Sequence, residues 1–425
     1  MAYIVRKLNK FGESRLSLRK INPQDFRIAT RTTSREINRR IVLNLVREHQ
    51  PISRAELARR MNLGRGGVTL LVGELIADGL IYEGATGEAA RGRKPTFLHV
   101  RTHNRMVVAV DVRFSRTYLM LSDFSAREIA LETFPTTFVP EQFIRNLSQR
   151  ILSLLRAHNA TAHCEGVGLV VPGVVHHQTG RIVNAPTLNW KNVDLRERLA
   201  AATGLPVHVE NGAKACVLAQ MWLARDEAAS ANDFVFVSVS DGVGVGIVVN
   251  GELFRGHDNF AGEFGHIPLS LDGPRCMCGN AGCWEAYVSN IATLSRYFGR
   301  DASRLEPKVA LESDTGRLTV TDLIAKARAG DTKAHTSIQA TARYLGLGLA
   351  NVVNGLNPAR VFLGGEITAA WDLIERTVRG ALAERAFSET LASTPVHAAS
   401  SIEHPRLRGA AALVAAPTFA AIRVA

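Results

Sequence analysis

The chain has 425 residues, room for two or three domains of ordinary size, with 46% hydrophobic residues, 6% aromatics and 35 glycines, the composition of a loop-rich α/β protein. It contains no run of about 18 apolar residues and no apolar stretch near its start, which argues against a membrane span or a secretory signal and leads us to expect a cytoplasmic protein. The net charge of +12 is concentrated: residues 1–101 hold 20 Lys+Arg against 9 Asp+Glu, the other 324 residues 31 against 30, so one basic module for a polyanion is expected on a neutral body.

Residues 1–30 show no periodicity and read as a basic arm. From Ser34, the run SREINRRIVLNLVREH sets Ile37, Ile41, Val42, Leu45 and Val46 at helical spacing, which predicts a first helix with one apolar face. Ser53 followed by Glu56 is a capping-box pattern and opens a second helix. A turn at Asn62, Leu63 and Gly64 leads into a third, with Val68, Leu71, Val72, Leu75 and Ile76 on its buried face. Helix, tight turn, helix is the geometry that lays the third helix in the DNA major groove. Arg65, Gly66, Gly67 and Thr69 begin its outer face. Glycines there cost about 1 kcal/mol each relative to alanine, so a close backbone approach to DNA is a reason to keep them. The stretch EGATGEAARGRKPTFLHV then reads as two strands around a loop with Arg91, Gly92, Arg93 and Lys94, a wing for the phosphate backbone or the minor groove. A winged helix-turn-helix over 31–100 is therefore expected. Its partner would be double-stranded operator DNA, an inverted repeat bound by a homodimer or dimer of dimers.

From Met106, short β-rich runs (MVVAVDV, TYLMLSDF, GVGLVV, VHVE, FVFVSVS, VFLGG) alternate with helical ones such as FIRNLSQRILSLLRAH. That alternation predicts an α/β fold with mixed sheets, two lobes and a cleft. Cys164 and Cys216 are isolated, whereas Cys276, Cys278 and Cys283 fall within eight residues, ten residues after His266. Three thiolates and one imidazole suit a closed tetrahedral zinc site, structural and one per chain; buried free thiols are the alternative reading.

Several motifs add up to more than their parts: VPGVV (171–175), NAPTLNW (184–190), VENGAKA (209–215), DGVGVGIVVNGELFRG (241–256), AGEFGH (261–266), CMCGNAGCWE (276–285) and NPARVFLGGE (357–366). On these the chain resembles the ROK family of sugar kinases and repressors, and specifically its transcription-regulator branch. The resemblance implies an actin-like ATPase fold, with lobe I over 105–208 completed by a helix at about 404–425, and lobe II over 209–403. It also implies that Asn211, Glu263, His266 and Glu285 hold a sugar or sugar phosphate, His266 serving both zinc and sugar. An amide, carboxylates and an imidazole are groups that bond vicinal hydroxyls and reject analogues lacking them.

Two departures from the family pattern bear on activity. Kinases of the family place Asp, the general base, where this chain has Gly212. Their first phosphate loop is DxGGT, whereas Asp111 is followed here by Val112, Arg113, Phe114 and Ser115. A general base alone is worth roughly 10² to 10⁴ in rate, and side chains at 113 and 114 obstruct backbone approach to phosphate, so no kinase activity is expected. Gly242, Gly244 and Gly246 of the second loop survive, as do Gly364 and Gly365, with turn geometry an equal explanation. The expected function is a sugar-responsive repressor of carbohydrate genes. Its rivals are a working sugar kinase with a DNA-binding head and a repressor controlled by a partner protein.

Overall fold

The computed structural model describes residues 30–86, 94–102, 105–223, 232–299, 318–399 and 404–420. The chain divides into two compact units, a smaller one up to Arg101 that also takes the end of the chain from Phe419, and a larger one from Thr102 to Thr418.

In the smaller unit, α1 (Arg31–His49), β1 (Ile52–Ser53), α2 (Arg54–Met61), α3 (Arg65–Ala77), β2 (Ile81–Thr86) and β3 (Thr96–Val100) follow in order. The strands form an antiparallel sheet β1-β3-β2. The buried face of α1 is centred on Val42, Leu43 and Val46, not on Ile41, which is 42% exposed, so the apolar stripe is rotated by about one residue from the expected one. Val68, Leu71, Val72 and Leu75 of α3 are buried as expected, with Ile76 half-buried. Ser53 caps α2 by accepting from Glu56 N at 3.2 Å. The reciprocal half of the capping box is not formed, since the Glu56 carboxylate pairs with Arg59 and Arg60.

The larger unit holds two five-stranded sheets of the same design. The first takes β4 (Met106–Val112), β5 (Arg116–Asp123), β6 (Glu128–Pro135), β7 (Cys164–Val171) and, later, β11 (Val207–Asn211). Its order is β11-β7-β4-β5-β6, an antiparallel meander extended on one side by two parallel strands. Helix α4 (Pro140–Ala157) connects β6 to β7, and between β7 and β11 lie the small sheet β8 (Val174–Val175), β9 (Ile182–Ala185) and β10 (Trp190–Val193), and α5 (Leu195–Thr203). Val108, Val110, Leu119 and Leu121 pack with Phe143, Leu147 and Ile151 of α4 to form this half's core.

After α6 (Gly212–Leu223), the second sheet repeats the order with β12 (Phe234–Val239), β13 (Val243–Val249), β14 (Glu252–Leu253), β15 (Arg360–Gly365) and β16 (Val396–Ala398). Again a meander is flanked by parallel strands, with β12 beside β15. Helices α7 (Glu285–Val288), α8 (Asn290–Phe298), α9 (Val320–Arg328), α10 (Thr332–Leu356), α11 (Trp371–Arg385) and α12 (Glu389–Ala392) accompany it. The second core joins Val235, Val237 and Leu363 to Leu345, Leu349 and Val378. Helix α13 (Pro405–Phe419) lies on the first sheet, where Gly168 lets it approach so closely that a Cβ would strike the Ala410 carbonyl. The expected change of lobe after residue 208 falls inside β11, which pairs with β7 through Asn211.

Candidate functional site

Three constellations were singled out by sequence, and each has its own setting. On α3, Arg65, Gly66, Gly67 and Thr69 are all exposed, and the Thr69 hydroxyl bonds back to the Arg65 carbonyl at 2.8 Å. A Cβ on Gly66, Gly67 or Gly73 would meet nothing within 4 Å, so packing does not require these glycines and their backbone lies bare on the outer face. Leu70, between them, is 67% exposed. The sequence reading left it out of both the buried and the outer face, although its place beside Thr69 on the helix was the signal that could have found it. Of the wing, Lys94 is exposed, while Arg91 and Arg93 lie outside the described residues.

The second constellation brings together residues from two loops. The 3₁₀ turn Glu263–His266 and the loop Cys276–Cys283 set the ligand atoms of His266, Cys276, Cys278 and Cys283 all within 4.8 Å of one another. Cys278 Sγ is 3.7 Å from Cys283 Sγ, and Cys276 Sγ is 3.7 Å from His266 Nδ1. Two thiolates each about 2.3 Å from a tetrahedral zinc would be about 3.8 Å apart, so the donor set and spacing fit that ion. Without a cation the cluster is unfavourable to thiolates: burial, then the neighbouring thiol, pushes Cys283 up to about 11, and burial followed by the charge of Glu285 raises Cys276 further.

The third is a cleft between the two sheets, at the carboxyl ends of β4, β11 and β12 where ligands of open α/β sheets bind. Asn211, Glu263, His266 and Glu285 all line it. Asn211 is fixed by donating Nδ2–H to the Gly173 carbonyl at 2.8 Å and accepting from Ala213 N at 2.9 Å. Glu285 accepts from Val243 N at 2.9 Å, an approach that a Cβ on Gly242 would block, 2.7 Å from its Oε2. His266 turns Nδ1 to the cysteines and Nε2 toward Glu263, 3.8 Å away, so one ring serves both constellations. Burial pushes the Glu263 carboxyl up, with the Glu285 charge adding and His266 and Lys214 opposing. Thr187 also lines the cleft, and its Oγ1 is buried without a partner among the described residues.

The far end of the cleft is filled by the protein's own ions. Asp111 is fully buried and accepts from Arg113 Nε and Arg406 Nε, both at 2.7 Å. Arg113 also pairs through Nη1 with Glu366. Asn290 Nδ2 donates to Glu366 at 3.0 Å and lies 3.5 Å from Asp241, which in turn accepts from Phe114 N at 3.4 Å. Arg113 lines the cleft, held by Asp111 and Glu366, whereas the Phe114 ring turns into the core against Phe138, ring centroids 5.3 Å apart. Arg406 was not singled out by sequence. It stands 295 residues from Asp111, and no local pattern marks it.

The description "ROK family" matches residues 107–416, and "Winged helix-turn-helix DNA-binding" matches 35–82. The chain belongs to the ROK family. Within that family it is similar to the "Xylose repressor" of Caldicellulosiruptor bescii, 29% identical over 360 residues covering 84% of this chain and 90% of that protein. It is also similar to the "DNA-binding transcriptional dual regulator NagC" of Escherichia coli, 27% identical over 385 residues, 89% of this chain and 92% of that one. A solved ROK family transcriptional regulator, described as a homologue of the Escherichia coli MLC protein, superposes with a TM-score of 0.75 over 91% of this chain and 97% of its own at 26% identity. A ROK family glucokinase from Streptomyces griseus, solved with glucose and AMPPNP, reaches 0.62 over 72% and 98% at 26% identity. Full-length similarity therefore runs to regulators, and the kinase likeness covers a smaller share of the chain. Among the described residues no helix is long and apolar enough to cross a membrane.

Proposed function

We propose that this ROK protein is a transcription repressor that binds operator DNA through its winged helix-turn-helix and senses a sugar in a domain that does not phosphorylate it. One observation carries the non-catalytic part: position 212, at the start of α6, is glycine, and the space beside it holds the Arg406 guanidinium, so that a Cβ there would touch Nη1. A guanidinium cannot accept a proton, and it takes the place a general base would need. Arg113, bound to Asp111 and Glu366, closes the phosphate end in the same way.

In this reading Asn211, Glu263, His266 and Glu285 hold the ring hydroxyls, joined by Thr187, which lines the same cavity and whose buried hydroxyl has no partner among the described residues. His266, Cys276, Cys278 and Cys283 hold one structural zinc that fixes the loop carrying Glu285. Arg65, Gly66, Gly67, Thr69 and the exposed Leu70 face the major groove, the last against thymine methyls, while Arg91, Arg93 and Lys94 serve the wing. The operator is an inverted repeat read by a homodimer in the cytoplasm, and sugar acts only as far as it prefers one conformation of the cleft.

The experiment has two arms. Genomic fragments selected on the purified protein are tested for sugar-dependent release, and the same protein is assayed for ATP-coupled phosphorylation of hexoses, amino sugars and pentoses. Release without turnover is expected. Turnover near the ordinary enzyme range of about 1 to 10³ per second would overturn the reading.

A further inference from the structure

We infer that Arg113 and Glu366 form a latch across the cleft, one that holds the two large sheets at the spacing at which the sugar-binding residues meet. The part that concerns sugar rests on the reading proposed above; the latch itself does not. Arg113 stands in the turn between β4 and β5 of the first sheet, and Glu366 directly follows β15 of the second. Each partner of the pair is braced on its own side. Arg113 Nε donates to Asp111 at 2.7 Å, its carbonyl accepts from the Thr136 hydroxyl at 2.8 Å, and its guanidinium lies 4.8 Å from the centre of the Tyr118 ring. Glu366 accepts from Asn290 Nδ2 at 3.0 Å. Gly365 before it has φ 116° and lies so close to β12 that a Cβ would strike the Val239 carbonyl. A second bond crosses beside the pair, from Phe114 N to Asp241 Oδ2 at 3.4 Å.

Burial decides which fastening between the sheets gives way first. The loop after β14 is tied to the first sheet by Arg255, which pairs with Glu210, and by Asn259 Nδ2, which donates to the Val175 carbonyl at 2.7 Å. Glu210 and Asn259 are both buried, so this tie is shielded from water. Arg113 and Glu366 keep 19% and 25% of their side chains exposed, where water and salt weaken an ion pair. The latch is therefore the fastening that opens. Asn211 reaches the cavity from the end of β11 in the first sheet, whereas Glu263, His266 and Glu285 come from segments that follow β14 of the second. The set is complete only while the sheets keep this spacing. A ligand that bonds residues from both sides favours the latched arrangement, and by linkage the latch favours the ligand.

The test is amide hydrogen exchange of the full chain as purified, wild type against Glu366→Gln, which removes the charge yet still accepts from Asn290. The Phe114 amide bonds across the cleft, so its exchange reports parting of the sheets, whereas the amides of Val108 and Val110 in β4 report the core. Exchange at Phe114 should quicken about tenfold in the variant, the scale of one hydrogen bond to a charged group, with Val108 and Val110 unchanged. Unaltered exchange at Phe114 overturns the latch. Equal quickening in β4 overturns it too, because the pair would then support the fold and not the spacing. Arg113→Gln, which leaves Asp111 its bond to Arg406, should give the same pattern, and the double variant no more than the larger single effect; additive effects overturn the pairing. A panel of hexoses, amino sugars and pentoses, with xylose, glucose and N-acetylglucosamine among them, is then titrated by calorimetry. A sugar that binds should slow exchange at Phe114 in the wild type and bind Glu366→Gln about tenfold more weakly. Equal affinity for both proteins overturns the coupling and leaves the sugar sensor standing. Absence of any carbohydrate binding overturns the sensor and the coupling together, while the latch stands or falls on the exchange result alone.

Discussion

Replacing Asp111 by Asn tests whether the ion cluster at the end of the cleft is a structural plug. Asp111 is fully buried and holds Arg113 and Arg406 at 2.7 Å each, so the substitution leaves two guanidiniums facing an amide that neutralises neither. At an effective dielectric constant of about 20, an ion pair is worth roughly 4 kcal/mol of Coulomb energy at about 4 Å, of which desolvation cancels a large part. Breaking a buried pair from one side costs about 3 to 5 kcal/mol, and Arg113 keeps Glu366, which favours the lower figure. For the unit Thr102–Thr418 the melting temperature should fall by roughly 4 to 8 °C. The pH dependence gives a second reading of the same group. Burial opposes ionisation of Asp111, but the charges of Arg406 and Arg113 outweigh it and hold the carboxyl below its ordinary value. A folded value lower than the unfolded one stabilises above the unfolded value, near about 3.9, and that stability is lost as the pH falls from there through the folded value. Wild type and variant, compared by denaturant unfolding, should therefore differ fully at neutral pH and converge below about pH 4. A difference within about 1 kcal/mol at pH 7, the worth of an ordinary hydrogen bond, would refute the plug.

Elemental analysis of protein purified without added metal should return about one zinc per chain, and Cys278→Ser should lower both melting temperature and sugar affinity through the loop that carries Glu285. Arg65→Ala should lose about 1 to 3 kcal/mol for the operator with little change on nonspecific DNA, whereas Arg93→Ala, outside the described residues, should weaken both together; wild-type affinities in gel shifts would remove the assignment. Thr187→Val, which keeps shape and removes the unpartnered hydroxyl, should weaken sugar binding by calorimetry roughly tenfold while leaving stability unchanged or improved.

The helix-turn-helix was legible because its signals are local: periodicity, a capping serine and a turn lie within about 45 residues. The stripe on α1 was misplaced by one position because Leu43 and Ile41 are equally apolar, and only the neighbouring helices decide between them. The cysteine cluster with His266 was legible from spacing, since both segments are short and bracket one turn. Arg406, Lys214 and Thr187 were not. Each reaches the cleft from a different element, and an arginine in the first turn of an alanine-rich helix reads as a surface charge until the fold brings it to Asp111.

The two large sheets share one strand order, and an aspartate stands at the end of the first strand of each, Asp111 as the penultimate residue of β4 and Asp241 in the turn after β12. Such repetition lets one half drift while its twin stays put. Bulk and charge have accumulated after β4, at Arg113 and Phe114, and at Arg406, whereas the hairpin after β12 keeps Gly242, Gly244 and Gly246. In the proposed reading, what separates this sensor from an enzyme lies on one side of the cleft. A combinatorial library confined to positions 112–115, 212 and 406 should sample most of that path without disturbing the side that recognises hydroxyls.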